Sequence, residues 1–435
     1  MNIAMEPGRV RGRLRAIPSK SHLHRQLICA ALAPGRTRIS CKPAGAQDIA
    51  ATIDCLQALG AEISISETGY EVKPIDFANL PEACELPCKE SGSTFRFLLP
   101  IVCALGVTGD FLLEGRLPER PLAPLDSQLT SKGIVLSRPS PGIVRCEGRL
   151  EAGSYSLRGD VSSQYISGLL LALPLLRFES TLEVTGEVQS GDYIAMTLAA
   201  QEAFGIKHEL LGKQIYAIKG GGYESPSQVR TEGDWSNGAF WLCCGAMPDC
   251  RVTLEGLDQA SFQGDRQVMA LLTALGADVG FSEAACQVGE GKRLAIDVDA
   301  GPIPDLIPVL CAVLAVSKGT SRVYNARRLR FKESDRLATT AGLLNALGAN
   351  VTELEDGLVI QGVPALKGGR VDACGDHRIA MLGAAVSLAC REAVVLTGAE
   401  AVRKSYPGLW EDLASLGKTL KFLEGGETDG EYLEK

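Results

Sequence analysis

The sequence lacks several features that would assign it to large functional classes. Its longest apolar run, Leu306 to Val316, is interrupted by Pro308 and falls well short of the ~20 residues a membrane span needs. Its N-terminus, Met1-Asn-Ile-Ala-Met-Glu-Pro-Gly-Arg9, carries charge where a signal peptide would hold an apolar core. It lacks an excess of positive charge: 44 Lys and Arg stand against 52 Asp and Glu, a net charge of −8. General polyanion binding is therefore not expected, and local basic clusters need a local explanation. The fourteen cysteines lack metal-ligand spacing, because the tightest, Cys84-x-x-x-Cys88 and Cys243-Cys244, have no histidine beside them. Most of the others, such as Cys29, Cys55, Cys311 and Cys390, sit singly in small-residue apolar stretches, where a free thiol acts as a small buried hydrophobe. The expectation is an unexported cytoplasmic protein in a reducing compartment, with no metal, no cofactor, no nucleic-acid partner and no membrane contact.

What is present is repetition. Six glycines that end helix-like stretches, Gly60, Gly133, Gly205, Gly276, Gly348 and Gly417, recur every 69 to 73 residues. Four of them close near-copies of one phrase, Ala58-Leu-Gly-Ala, Ala203-Phe-Gly-Ile, Ala274-Leu-Gly-Ala and Ala346-Leu-Gly-Ala. Alternating strand-like runs such as Glu62-Ile-Ser-Ile-Ser and Val351-Thr-Glu-Leu follow. A second helix start keeps the same beat at Ser21, Gly92, Ser163, Ser236, Ile303 and Asp376. One unit is thus written six times, and self-similarity of this kind sets the architecture before any motif is read. In each unit the first helix is apolar all round and must be buried, whereas the second, as in Asp265-Arg-Gln-Val-Met-Ala-Leu-Leu, is amphipathic and ends at its glycine. Short strands complete the unit.

A length of 435 residues suits two globules of three units each, with the three apolar helices of each globule packed together. The last unit stops early, after Leu416-Gly-Lys-Thr-Leu-Lys-Phe-Leu423, so the N-terminal segment Gly8–Ile17 is expected to supply its missing strands. The first globule, residues 19–232, then becomes an insertion in the second, residues 1–18 and 233–435. Crossovers are expected near Ile17-Pro18 and Thr231–Asp234, forming a two-stranded hinge. The glycine-rich acidic tail from Glu424 to Lys435 is expected to fray and to carry no function.

The residues with unusual chemistry fall at equivalent helix starts. Pro18-Ser-Lys-Ser-His-Leu-His-Arg25 combines free backbone N–H groups and a positive dipole end with Lys20, Ser21 and Arg25, which suits an anion; a capped helix with solvated basic residues is the alternative. Ser91-Gly-Ser-Thr-Phe-Arg96 opens the next such helix, where Gly92 permits close backbone approach, although capping alone accounts for the segment equally well. Asp160-Val-Ser-Ser-Gln164 opens the third. Arg120, in Pro118-Glu-Arg-Pro-Leu122, suits bidentate carboxylate or phosphate binding, with a surface salt bridge as the alternative. Arg327-Arg-Leu-Arg-Phe-Lys-Glu-Ser-Asp-Arg336 is the densest signal; Lys332, Glu333 and Arg336 are about one helical turn apart and could share a face. Asp305 precedes a wholly apolar helix. Gly375-Asp-His-Arg378 and Lys404-Ser-Tyr-Pro407 complete the set, and His377 is one of only four histidines. Cations at Lys20, Arg25, Arg120, Lys332, Arg336, Arg378 and Lys404 against Asp305 and Glu333 make a site for small, multiply anionic ligands, with carboxylates for proton transfer.

Taken in order, the segments Ser19-Lys-Ser-x-x-x-Arg25, Ser91–Arg96, Glu119-Arg-Pro121, Val161–Gln164, Ser190-x-x-Tyr193, Ile303-Pro-Asp305, Lys332–Arg336, Asp376-His-Arg378 and Lys404–Pro407 resemble those of the 5-enolpyruvylshikimate-3-phosphate (EPSP) synthases, of the enolpyruvyl transferases. The resemblance spans essentially the whole chain. It implies an α/β fold of two globular domains, each of three inverse βαβαββ repeats, with ligands in the cleft between. It implies transfer of the enolpyruvyl group of phosphoenolpyruvate to the 5-hydroxyl of shikimate 3-phosphate with release of phosphate, in a monomer inhibited by glyphosate. By the same resemblance, phosphoenolpyruvate is held by Lys20, Gly92, Arg120, Gln164, Arg336, Arg378 and Lys404. Shikimate 3-phosphate is held by Lys20, Ser21, Arg25, Ser162, Ser163, Gln164, Ser190, Asp305 and Lys332. Asp305 would deprotonate the hydroxyl, Glu333 with Lys20 would move the proton at the methylene carbon, and His377 would orient Glu333.

The chain departs from the family pattern at three places. Arg328 stands where some members carry Asn, Gly375 stands where Asn commonly precedes Asp-His-Arg, and Phe95 and Phe97 replace the Met and Pro of some relatives. Alternatives are the sister enzyme acting on UDP-N-acetylglucosamine, an RNA-end-processing or RNA-binding protein of related repeat fold, and a ligand-binding relative without activity. The first places Lys-Asn where this chain has Lys20-Ser21 and uses a loop cysteine, yet no cysteine lies between Cys103 and Cys146.

Overall fold

The computed structural model describes residues 1–282 and 285–423; the expectation for Glu424–Lys435 lies outside the described residues. The described strands form six four-stranded sheets, one per repeat. In the second repeat Ala83–Lys89 runs parallel to Thr108–Leu113, which pairs antiparallel with Ile143–Gly148, itself paired with the edge strand Ile134–Ser137. Helices Gly92–Leu105 and Leu125–Thr130 fill the two crossovers, giving β-α-β-α-β-β. All six repeat glycines have positive φ, from 78° to 103°, which is why only glycine closes each second helix so readily.

Strands are exchanged along the chain to complete the sheets. Gln228–Arg230 supplies the first strand of the first repeat, parallel to Thr37–Ser40. Arg11–Arg15 does the same for the fourth repeat, beside Arg251–Glu255. The truncated sixth repeat is completed by Asn2–Met5, which lies between Val394–Thr397 and Leu420–Leu423. This corrects the expected donor, Gly8–Ile17. A strand with neighbours on both sides must be buried, and Ile3, Ala4 and Met5 are wholly so. The arginine-rich strand suits a sheet edge instead.

The chain divides into two compact units: Met1–Ala16, Trp235–Leu257 and the described residues from Asp265 on form one; Ile17–Asp234 with Asp258–Gly264 form the other. Within the former, helices Trp235–Gly245, Ile307–Ala315 and His377–Val386 pack on one another with nearly every residue buried. The fifth of these repeat helices starts at Ile307 rather than the expected Ile303, because Pro302 and Pro304 keep the preceding residues out of a helix. In the latter, Pro18 and Gly233 form an isolated antiparallel bridge, and Asp234 N donates to Ile17 O at 2.8 Å. Among the described residues no helix is long and apolar enough to cross a membrane. The thiols are all free and mostly buried.

One buried charge opposes the fold. Lys418 is 2% exposed, its Nζ donates to the Ser387 carbonyl at 3.1 Å, and burial pushes its ammonium down to about 8. A lysine so depressed destabilises the folded state fully below pH 8, and the penalty fades as pH rises towards 10.5. Lys418→Met is therefore expected to gain on the unsubstituted protein by roughly 3 kcal/mol more at pH 7 than above pH 10.5, at about 1.4 kcal/mol per pKa unit. Denaturant unfolding followed by tryptophan fluorescence measures this, since Trp235, Trp241 and Trp410 all lie in the same unit as Lys418. A pH-independent difference between the two proteins refutes it.

Candidate active site

In the unit built on Ile17–Asp234, three helix N-termini carry the predicted anion residues. Ser19 caps Lys20–Leu32 by accepting from His22 N, Ser91 caps Gly92–Leu105 at Thr94 N, and Ser162 caps Ser163–Ala172 at Gln164 N. Ser190, buried ahead of Gly191–Glu202, holds φ at 56°, a left-handed conformation uncommon for serine and of the sort that clusters at functional sites. Side chains bind these ends together. Lys20 Nζ donates to Asp48 Oδ2 at 2.6 Å, and Arg96 donates to Gln164 Oε1 at 2.6 Å. Gln164 in turn donates to Ser93 Oγ at 2.9 Å.

Arg25 is 2% exposed and lies over the Phe97 ring, 4.9 Å from its centroid. Its donors meet only neutral oxygens: Thr197 Oγ1 at 2.7 Å, Ser21 O at 2.6 Å, Tyr193 O at 3.0 Å and Ser167 Oγ at 3.3 Å. No carboxylate answers it among the described residues, and burial pushes its guanidinium down to about 10. Arg120 likewise has no ion pair among the described residues, and its Nε is buried without a partner. A Cβ placed on Gly92 would stand 3.1 Å from both Arg120 Nη1 and Arg96 Nη1. Two guanidiniums therefore converge on the backbone of Gly92, at a helix N-terminus that also favours anions.

The other unit holds the carboxylates. Arg336, 1% exposed, donates from Nε to Asp376 Oδ2 at 2.8 Å, from Nη1 to Asp305 Oδ1 at 2.7 Å and from Nη2 to Glu333 Oε2 at 2.8 Å. Lys332 Nζ reaches Asp305 Oδ1 at 3.0 Å, and Lys404 Nζ lies 3.6 Å from Glu333 Oε1. Burial pushes the Asp305 carboxyl up, but Lys332, Arg336 and Arg378 outweigh it and hold the group well below the usual carboxylate range. Burial likewise lowers the Lys332 ammonium against the pull of Asp305. Arg378 is buried and donates to the carbonyl of Ser236 at 2.9 Å and to its hydroxyl; no carboxylate pairs with it among the described residues. His377 is buried with Nδ1 3.7 Å from Asp376 Oδ1.

One local expectation is corrected here. Lys332 and Glu333 share no helical face with Arg336: residues Arg327–Phe331 form a 3-10 turn, Lys332 is extended, and the helix begins only at Arg336, capped by Asp335. Asp335 accepts from Leu337 N and Ala338 N, so this cap sets the boundary. The residues meet because the turn folds back, not because of helical spacing.

Sequence reasoning left out Asp48, Arg96, Asp376 and Ser236. Arg96 and Asp376 stood inside quoted motifs, and their burial with polar partners is what marks them. Asp48 carried no signal of its own, and Ser236 was marked only as a periodic helix start, since their partners Lys20 and Arg378 lie 28 and 142 residues away in sequence.

Comparison with known proteins resolves the family. The family model for EPSP synthase (3-phosphoshikimate 1-carboxyvinyltransferase) matches residues 5–413. The chain belongs to this family. It is 40% identical over 416 residues to the 3-phosphoshikimate 1-carboxyvinyltransferase of Clostridium kluyveri, covering 95% of this chain and 97% of that protein. It is 37% identical over 421 residues to the enzyme of the same name from Clostridium perfringens, covering 96% and 99%. The solved EPSP synthase of Acinetobacter baumannii, 23% identical, superposes with a TM-score of 0.79 over 97% of this chain and 100% of that one, which bears out the repeat fold.

Proposed function

We propose that the chain transfers the enolpyruvyl group of phosphoenolpyruvate to the 5-hydroxyl of shikimate 3-phosphate, releasing phosphate and forming 5-enolpyruvylshikimate 3-phosphate. The observation that carries this beyond family membership is three guanidiniums without carboxylate partners among the described residues, Arg25, Arg120 and Arg378, each within two turns of the start of a buried repeat helix or beside it. Their charge is unanswered by any carboxylate, and the two substrates bring two phosphates and two carboxylates that would answer it. UDP-N-acetylglucosamine as acceptor has less support, since the full-length relatives act by name on 3-phosphoshikimate.

In this reading Lys20, Ser21, Arg25, Ser162, Ser163, Gln164, Ser190, Asp305 and Lys332 take shikimate 3-phosphate, and Lys20, Gly92, Arg120, Gln164, Arg336, Arg378 and Lys404 take phosphoenolpyruvate. Asp305 accepts the 5-hydroxyl proton as the oxygen attacks C2 of phosphoenolpyruvate, while C3 gains a proton from Glu333 acting with Lys20 to give a tetrahedral adduct. Loss of a C3 proton to the same group then expels phosphate, whose charge the cations stabilise. His377 orients Glu333.

The direct test is phosphate release with both substrates and no added metal or nucleotide, with each substrate omitted in turn and UDP-N-acetylglucosamine substituted for the acceptor. Release only with the complete shikimate pair supports the reading; release with the nucleotide sugar instead reassigns the acceptor. A low-salt shift assay with generic RNA, expected to show no binding, addresses the remaining class.

Gly92→Ala separates the two ligand sets. The added methyl would crowd the ends of two flexible guanidiniums by a few tenths of an ångström, so the fold tolerates it. The apparent constant for phosphoenolpyruvate should rise on the order of tenfold, about 1.4 kcal/mol, with that for glyphosate, while shikimate 3-phosphate is little affected. Equal weakening of all three ligands would point to a general defect instead.

A further inference from the structure

Behind the Lys20–Asp48 ion pair lies a second, uncharged rung between the same two helices. His24 sits one turn after Lys20, and Thr52 one turn after Asp48, so both pairs face each other in the same order. His24 Nδ1 lies 2.7 Å from Thr52 Oγ1, and both residues are wholly buried. The rung continues into a third helix. Thr52 Oγ1 is 2.7 Å from Thr94 Oγ1, and Thr94, also wholly buried, sits in the first turn of Gly92–Leu105. Its hydroxyl reaches Ser91 Oγ at 2.7 Å and the Asp48 carbonyl at 3.3 Å. Ser91 is the residue that caps this helix by accepting from Thr94 N.

Protonation gives the chain a direction. Burial, with Lys20 and Arg25 nearby, pushes the His24 imidazole down to about 3 against the pull of Asp48, so it is neutral at working pH. Its Nε2 is buried without a partner, and a bare acceptor is tolerated there more readily than a stranded N–H. The proton therefore rests on Nδ1 and is donated to Thr52, leaving Thr52 to donate to Thr94 and Thr94 to the Ser91 oxygen or the Asp48 carbonyl. Every hydroxyl in the chain is thereby oriented.

We infer that Thr94 is a positioning residue for phosphoenolpyruvate, holding the Gly92 backbone and the Asp48-paired Lys20 in fixed register through the His24–Thr52–Thr94–Ser91 brace. The inference rests on the enolpyruvyl-transfer reading above. The brace touches no proposed ligand itself. It fixes Gly92, assigned to phosphoenolpyruvate alone, against Lys20, which both ligands share, whereas Arg25, on the shikimate 3-phosphate side, is anchored separately by Thr197, Ser167 and Tyr193.

Thr94→Val keeps the side-chain shape and removes the hydroxyl, Thr52→Val cuts the chain one link earlier, and Thr94→Ser keeps the hydroxyl. Both valine variants should raise KM for phosphoenolpyruvate on the order of tenfold, with KM for shikimate 3-phosphate changed less than about twofold, and Thr94→Ser should restore the first value. Backbone hydrogen exchange over residues 88–97 should quicken in Thr94→Val. An unchanged phosphoenolpyruvate constant, or a parallel rise in both constants, overturns the inference. Absence of turnover in the unsubstituted protein counts against the enolpyruvyl-transfer reading instead, and exchange then decides the brace alone: no quickening in Thr94→Val overturns it.

Discussion

Asp305→Asn should lower turnover on the order of 10²–10⁴-fold while substrate binding survives far better, the pattern of a lost general base rather than a lost contact. Asparagine keeps the size of the side chain and can still accept from Lys332 and Arg336, but it cannot take the 5-hydroxyl proton. The resting structure makes the expectation demanding. With Lys332 and Arg336 both on Oδ1 and Arg378 close enough to contribute, Asp305 is held well below the usual carboxylate range and is a weak base. Arrival of a phosphate and a carboxylate beside those cations would offset their pull and raise the group towards the pH at which it must act. In the proposed reaction the substrates would thus arm the base. Pre-steady-state turnover together with equilibrium binding of shikimate 3-phosphate checks this. Near-normal turnover with collapsed shikimate 3-phosphate affinity would leave Asp305 as a hydroxyl clamp and assign proton transfer to Glu333 and Lys20.

The periodic glycines made the repeat legible because a helix closed by a left-handed residue all but demands glycine, and six such demands at one interval have no other common cause. The helix starts at Gly92, Ser163 and Asp376 were legible for a related reason, since caps are local and use few residue types. Strand exchange was only half visible. A truncated last repeat announced a missing strand, but whether Asn2–Met5 or the arginine-rich segment filled it depended on burial at a sheet centre, a tertiary property. The turn at Arg327–Phe331 misled for a similar reason: spacing of three and four suggests one helical face, whereas the Asp335 cap sets the helix boundary beyond Glu333. The Thr52–Thr94 link had no sequence signature, because two threonines 42 residues apart look like any others until packing joins them.

Arg336→Met should destabilise its unit by about 3–5 kcal/mol at pH 7, because it strands buried negative charge rather than merely removing a contact. Arg336 is 1% exposed and answers three carboxylates, and Asp376 among them is wholly buried. Asp376 would keep the Ser334 and Arg378 N–H groups and the Ser334 hydroxyl, but no opposite charge at hydrogen-bond distance among the described residues. Asp305 would keep Lys332, and Glu333 would keep Lys404 at 3.6 Å. The pH dependence fixes the cause. In the unsubstituted protein the Asp305 carboxyl is depressed, so its contribution is present above the unfolded value near 3.9 and is lost as pH falls through the folded one. In the variant the stranded carboxylates take up protons more readily, and protonation relieves their burial. The stability difference between the two proteins should therefore shrink as pH falls from 7 towards 4. Denaturant unfolding followed through Trp235, Trp241 and Trp410, all in the unit that contains Arg336, reads that difference without interference from the other. A loss below about 1 kcal/mol, or one that stays constant with pH, would mean that the three carboxylates find other partners and that Arg336 is held in place for its ligand alone.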